Sequence, residues 1–122
     1  MKDTNLALVI AEVACEKHAQ NIEIIDVSQH VDYTDFVLVC SGRSDRQVRA
    51  IAEGIEVRLK ELGVKSLGVE GRQHGSWVLM DFGSVVVHVF GEHTRSYYDI
   101  EGLWLDAERL PFDDSRALAA GE

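Results

Sequence analysis

The sequence predicts an α/β domain, a mixed sheet of about five strands with helices packed on it. Three observations predict it. Two segments repeat apolar residues at helical spacing, Leu6-Val9-Ile10-Val13-Ala14 and Val48-Ile51-Ala52-Ile55-Leu59-Leu62. The run Phe36-Val37-Leu38-Val39-Cys40 is apolar throughout, as in a strand covered on both faces. Two more strand-like runs, Trp77 to Phe82 and Val85 to Phe90, flank Gly83-Ser84, a pair suited to a tight primed turn.

Each element follows in order. The first helix starts with Asp3 or Thr4 as its N-cap, and Glu12, Glu16 and Lys17 fall off its apolar stripe. A strand at Ile22 to Val27 leads into a polar loop, Ser28 to Asp35, and then into the apolar strand at Phe36. Ser41-Gly42-Arg43 ends that strand, and Ser44-Asp45-Arg46-Gln47 reads as a capping box opening a long helix. Gly63 sits where a helix stops in the left-handed C′ position. Leu67 and Val69 mark a short strand, followed by a stretch punctuated by Gly68, Gly71 and Gly75 and then by the hairpin. Thr94 caps a final helix running through Trp104, with Tyr97, Ile100, Leu103 and Trp104 near one face. Residues 1–104 therefore form one domain, and 105–122, with Pro111 and an alanine-rich end, form a frayed tail.

Composition narrows the function. The 122 residues carry a formal net charge of −9, which repels phosphate backbones and anionic lipid and attracts a basic protein partner. Direct DNA binding and membrane association are not expected. The N-terminal segment is interrupted by charge too early for a signal peptide, and no apolar run reaches the ~18 residues of a membrane span. Cys15 and Cys40 lie in apolar surroundings without metal spacing, as buried reduced thiols of a cytoplasmic protein do.

Motifs that would carry chemistry are sparse. Ser41-Gly42-Arg43-Ser44 joins a buried strand to a helix N-terminus, where anions bind, yet it matches no phosphate-loop signature, and a serine cap on a glycine turn explains it equally. His18, His30, His74, His88 and His93 show no metal spacing. His88 shares a strand face with Val86 and Phe90, as a buried, hydrogen-bonded histidine would. Asp32, Asp35 and Asp81 are the only carboxylates placed for acid/base or metal-assisted work. The first two also suit a loop turn, and Asp81 has no D-x-D partner for a two-metal site. No catalytic residue, cofactor or metal is expected.

Several stretches together resemble one family. Asp32-Tyr33-Thr34-Asp35-Phe36, Ser41-Gly42-Arg43-Ser44, Arg46-Gln47-Val48, Gly68-Val69-Glu70-Gly71, Trp77 through Gly83, Val85 through Val89, and Tyr98 through Trp104 are similar, in order and spacing, to the ribosomal silencing factors, also called the Iojap family. Ser84 replaces a usual Asp in the hairpin turn, and Gly102 a usual charged or long residue. The resemblance implies a fold similar to nucleotidyltransferases without their chemistry. It also implies a translation repressor that binds the large ribosomal subunit through ribosomal protein number fourteen. Occupying that face blocks joining of the small subunit and lowers protein synthesis in starvation or stationary phase. A second function class, a nucleotide binder or nucleotidyltransferase-like enzyme, would use the Ser41-Gly42 turn with Asp35 or Asp81.

The contact surface is expected on the hairpin and final helix. Trp77, Leu79 and Asp81 share one strand face, and a face ending in an aspartate is the less buried one. Glu70 and Tyr98 would supply its rim. Trp77 reads either as an exposed hot spot or as core packed beneath a helix. Monomer and homodimer both remain open.

Overall fold

The computed structural model describes residues 2–112. Its elements run α1 (Thr4–Glu16), β1 (Gln20–Asp26), β2 (Phe36–Gly42), α2 (Asp45–Glu61), β3 (Gly68–Glu70), β4 (Trp77–Asp81), β5 (Val85–Gly91) and α3 (Glu92–Tyr98). A 3₁₀ segment (Ile100–Trp104) and β6 (Glu108–Leu110) complete them. The six strands form a single sheet ordered β3-β4-β5-β2-β1-β6. Only β2 and β5 pair in parallel; every other neighbour is antiparallel. The parallel pair sits at the centre, and β2 is buried at every position, as its apolar run predicts.

α1 and α2 cover one face of the sheet. Ile10, Val13, Ile51, Ile55 and Leu59 pack there on Leu38, Cys40, Val78, Met80, Val87 and Val89. Each fully buried aliphatic side chain contributes roughly 1.5–3 kcal/mol. Burial also pushes the Cys40 thiol up to about 12, so it is un-ionised at neutral pH. The other face carries a smaller core, Ile25, Val27, Val37, Val39, Phe90 and Ala107, roofed by Val31, Ile100 and Trp104. Trp77 of β4 also packs at the edge of this core, and on that side Trp77, Leu79 and Asp81 stay only half-buried.

Local chemistry fixes the element ends. Asp3 is the α1 cap, its Oδ1 accepting from the Leu6 N–H at 3.0 Å. Ser44 caps α2 by accepting from Gln47 N–H, but the reciprocal bond departs from a capping box: Gln47 Oε1 accepts from Arg43 N–H rather than Ser44 N–H. After α2, Gly63 takes φ 83°, with Gly63 N–H donating to Lys60 and Val64 N–H to Leu59, which is a Schellman motif. Among the described residues, and apart from its chain neighbours, no heavy atom lies within 4 Å of a Cβ built at Gly63, so its backbone (φ 83°) is what demands glycine. Gly63→Ala is expected to cost about 1 kcal/mol. Urea unfolding reads this, and an unchanged midpoint would show that the turn relaxes.

Two expectations are corrected. The final helix does not run unbroken from Thr94 to Trp104. It is capped at Gly91, stops at Tyr98, and gives way at Asp99, whose left-handed backbone (φ 46°) starts the 3₁₀ segment. Gly102 packs against that break, and a Cβ there would lie 2.4 Å from Asp99 Oδ2. Beyond Trp104, where patterning predicts a frayed tail, β6 pairs antiparallel with β1 and supplies the sixth strand. The rest of the expected tail, 113–122, lies outside the described residues.

Candidate partner-binding surface

The hairpin turn sets the geometry. Gly83 adopts φ 84°, Phe82 N–H donates to the Val85 carbonyl, and Asp81 Oδ1 accepts from Gly83 N–H at 2.8 Å. This register places Trp77 opposite Phe90, Leu79 opposite His88 and Asp81 opposite Val86. β3 adds Glu70 opposite Leu79. Along β4, Val78 and Met80 are buried while Trp77, Leu79 and Asp81 are half-buried. The less buried face is therefore the one that ends in the aspartate.

Glu70, Leu79 and His88 form a row across three strands, and Trp77 lies next to it. The indole ring centre is 4.7 Å from Tyr98, 4.9 Å from Phe90 and 5.9 Å from His88, and its Nε1–H donates to His88 Nδ1 at 3.1 Å. Tyr98, at the end of α3, is 54% exposed, and Glu70 is exposed. The fold thus gathers Trp77, Leu79, Glu70 and Tyr98 into one patch. Asp81 lies at its far end, with one carboxylate oxygen spent on the turn. Trp77 combines both sequence readings: its ring packs on the smaller core, yet it stays half-buried at the edge of the roof.

Gly71 makes the patch possible. Its φ is 89°, and a Cβ there would fall 2.0 Å from the Trp77 carbonyl oxygen, so the loop before β4 lies directly against that strand.

Sequence reasoning missed two relations. It placed Val86 and His88 on one strand face but did not join that face to Trp77, Leu79 and Asp81, which the turn position would have done through the hairpin register. Burial lowers the His88 pKa to about 4 against a weaker opposing pull from Glu101, so the ring is neutral and its proton sits on Nε2. The second is an ion network that is buried at Arg95 and Glu101 and partly exposed at Glu23 and Arg109. Arg95 donates to Glu101 Oε2 (2.9 Å), Ser41 Oγ (2.9 Å) and Glu23 Oε2 (3.4 Å), and Arg109 donates to Glu23 Oε1 (3.1 Å). It ties α3 and the 3₁₀ segment to β1, β2 and β6. No local motif announces it.

The residues proposed for a nucleotide site are not brought together. Ser41 and Gly42 lie at the C-terminal end of β2, whereas Asp35 and Asp81 meet the hairpin turn at its N-terminal end. The seven residues of β2 separate them by roughly 20 Å. The Ser41 hydroxyl is held by Arg95, and a Cβ at Gly42 would lie 2.9 Å from Val48 N. The cleft beside Ser41, about 860 Å³, is lined by Glu23, Glu92, Asp99 and Glu101 against the single Arg95, an environment that disfavours a polyphosphate. Among the described residues no group of three or more His, Cys, Asp or Glu is placed to hold a metal ion.

Comparison with known proteins decides the family. The model for "Ribosomal silencing factor during starvation" matches residues 1–122. The chain belongs to the ribosomal silencing factor family. A ribosomal silencing factor of Bacillus subtilis is 43% identical over 107 residues, covering 87% of this chain and 91% of that one. Among organellar relatives, the mouse "Mitochondrial assembly of ribosomal large subunit protein 1" is 33% identical over 110 residues, 88% of this chain and 47% of that one. A crystal structure of a Chromobacterium violaceum protein superposes with a TM-score of 0.83 at 38% identity, covering 92% of both chains. Ribosomal silencing factors are not a known enzyme family.

Proposed function

We propose that this silencing factor binds the large ribosomal subunit through ribosomal protein number fourteen and sterically blocks joining of the small subunit, repressing translation during starvation or stationary phase. The observation that carries this reading is the half-exposed aromatic pair Trp77–Tyr98, flanked by the half-buried Leu79 and the exposed Glu70. An aromatic anchor inside a polar rim is the usual make-up of a binding hot spot. The net charge of −9 favours a basic protein over RNA as the surface contacted. The family description names starvation, and the mouse relative is named for large-subunit assembly. No helix among the described residues is long and apolar enough to cross a membrane, which suits a factor acting on cytoplasmic ribosomes.

Trp77→Ala tests the surface. Affinity for purified large subunits should fall about 30-fold or more, equivalent to ~2 kcal/mol. The melting curve should register only the roughly 1–2 kcal/mol expected for a half-buried ring. Wild-type affinity in a folded variant would move the contact elsewhere.

Steric blocking also fixes the stoichiometry. Light scattering of subunit association should show inhibition saturating near one chain per large subunit. Time-dependent inhibition at far lower ratios would demand turnover and overturn the blocking mechanism.

A further inference from the structure

We infer that His88 is a positioning residue for this surface: by accepting the Trp77 indole N–H it sets the orientation in which that ring meets a partner. The inference rests on the reading that Trp77 belongs to the contact surface. The bond to Nδ1 is 3.1 Å long and joins adjacent strands of the hairpin, Trp77 on β4 and His88 on β5. An acceptor at Nδ1 requires the neutral imidazole with its hydrogen on Nε2, and burial enforces that state.

The imidazole has little freedom to turn. It stacks on Phe90 with centroids 5.8 Å apart and planes 7° from parallel, and in register it lies between Leu79 of β4 and Val39 of β5's other neighbour, β2. Trp77 is then held at two places, its N–H on His88 and its ring against Phe90 and Tyr98. An indole ordered in advance loses less rotamer entropy when a partner covers it, so more of the contact energy appears as affinity. The charged group that acts on the imidazole from the covering elements is Glu101, which is paired with Arg95. They pair with each other and leave the Trp77 bond to the imidazole.

The test uses a Trp104→Phe background, in which Trp77 is the sole tryptophan. Its indole N–H is followed by nitrogen-15 NMR, alongside affinity for purified large ribosomal subunits. His88→Leu removes the acceptor, whereas His88→Asn keeps an amide oxygen close to the Nδ1 position. In His88→Leu the indole N–H should exchange with solvent at least about tenfold faster and affinity should fall about tenfold, as expected for a lost buried hydrogen bond. His88→Asn should stay within about threefold of wild type in both.

Unchanged indole exchange in His88→Leu would overturn the inference, as would faster exchange with wild-type affinity. If His88→Leu fails to fold, His88→Gln replaces it, since its oxygen reaches toward Nε2 instead; equal behaviour of Asn and Gln then overturns the role. Trp77→Ala, run in parallel, separates the two claims. Wild-type binding by Trp77→Ala would remove the surface itself, whereas weak binding by Trp77→Ala beside indifference to His88→Leu would remove only the positioning role.

Discussion

Arg95→Met is expected to lose about 3–5 kcal/mol of stability, the cost of breaking a buried charge pair from one side. The Arg95 side chain is only 10% exposed and faces three acceptors on three elements, Glu101, Ser41 and Glu23. Glu101 is the residue left worst off. One of its carboxylate oxygens is held by Arg95, and the other is buried with no partner among the described residues. A carboxylate stranded in that position is strongly unfavourable. Arg95→Lys should recover only part of the loss, because a compact ammonium lacks the planar fork that reaches three acceptors. Urea unfolding measures both variants. A loss under ~1 kcal/mol for Arg95→Met would mean the network behaves as a solvated surface group. Because α3 carries Tyr98 and the following 3₁₀ segment roofs the smaller core, loosening this anchor should also lower affinity for the large subunit.

Acid should weaken the fold through His88. The folded protein holds this imidazole neutral down to about pH 4, whereas the unfolded chain protonates it near the ordinary value of 6.5. Between those values the unfolded state binds more protons, so stability rises with pH. The contribution is fully present above about pH 6.5 and is lost as pH falls toward 4, a change of ~3 kcal/mol. Asp26, whose pKa the Lys2 ammonium and the Ser28 hydroxyl and N–H lower, adds loss in the same direction at lower pH. Comparing wild type with His88→Asn isolates the histidine. The variant should show a distinctly flatter stability profile between pH 7 and 4, and superimposable profiles would exclude His88 as the source.

What the sequence determined by itself is everything that rests on short-range chemistry. Helical spacing located α1 and α2, Asp3 or Thr4 and then Ser44 announced their starts, and Gly63 announced the end of α2. The unbroken apolar run marked β2 as central, and Gly83-Ser84 located the hairpin. Alternation along β4 separated Trp77, Leu79 and Asp81 from the buried Val78 and Met80. Such signals are legible because a cap, a turn or an apolar stripe acts over a few residues, and its energy does not depend on distant partners.

Only the tertiary structure decided the rest. β6 is three residues long and exists by hydrogen-bonding to β1 across more than eighty residues of chain, so no local preference reveals it. Asp99 interrupts the last helix in favour of a left-handed turn that lets the 3₁₀ segment lie over the sheet, with Ile100 and Trp104 roofing the smaller core. Arg95 meets Ser41 and Glu23 from 54 and 72 positions away. Asp35 and Asp81, which suggested a site with Ser41 and Gly42, end at opposite ends of β2 from them because strand direction, not residue type, sets where they fall. The bond between Trp77 and His88 belongs to this second class as well: each residue is legible on its own strand, but their meeting depends on the register that the folded hairpin imposes and on the burial that keeps the imidazole neutral.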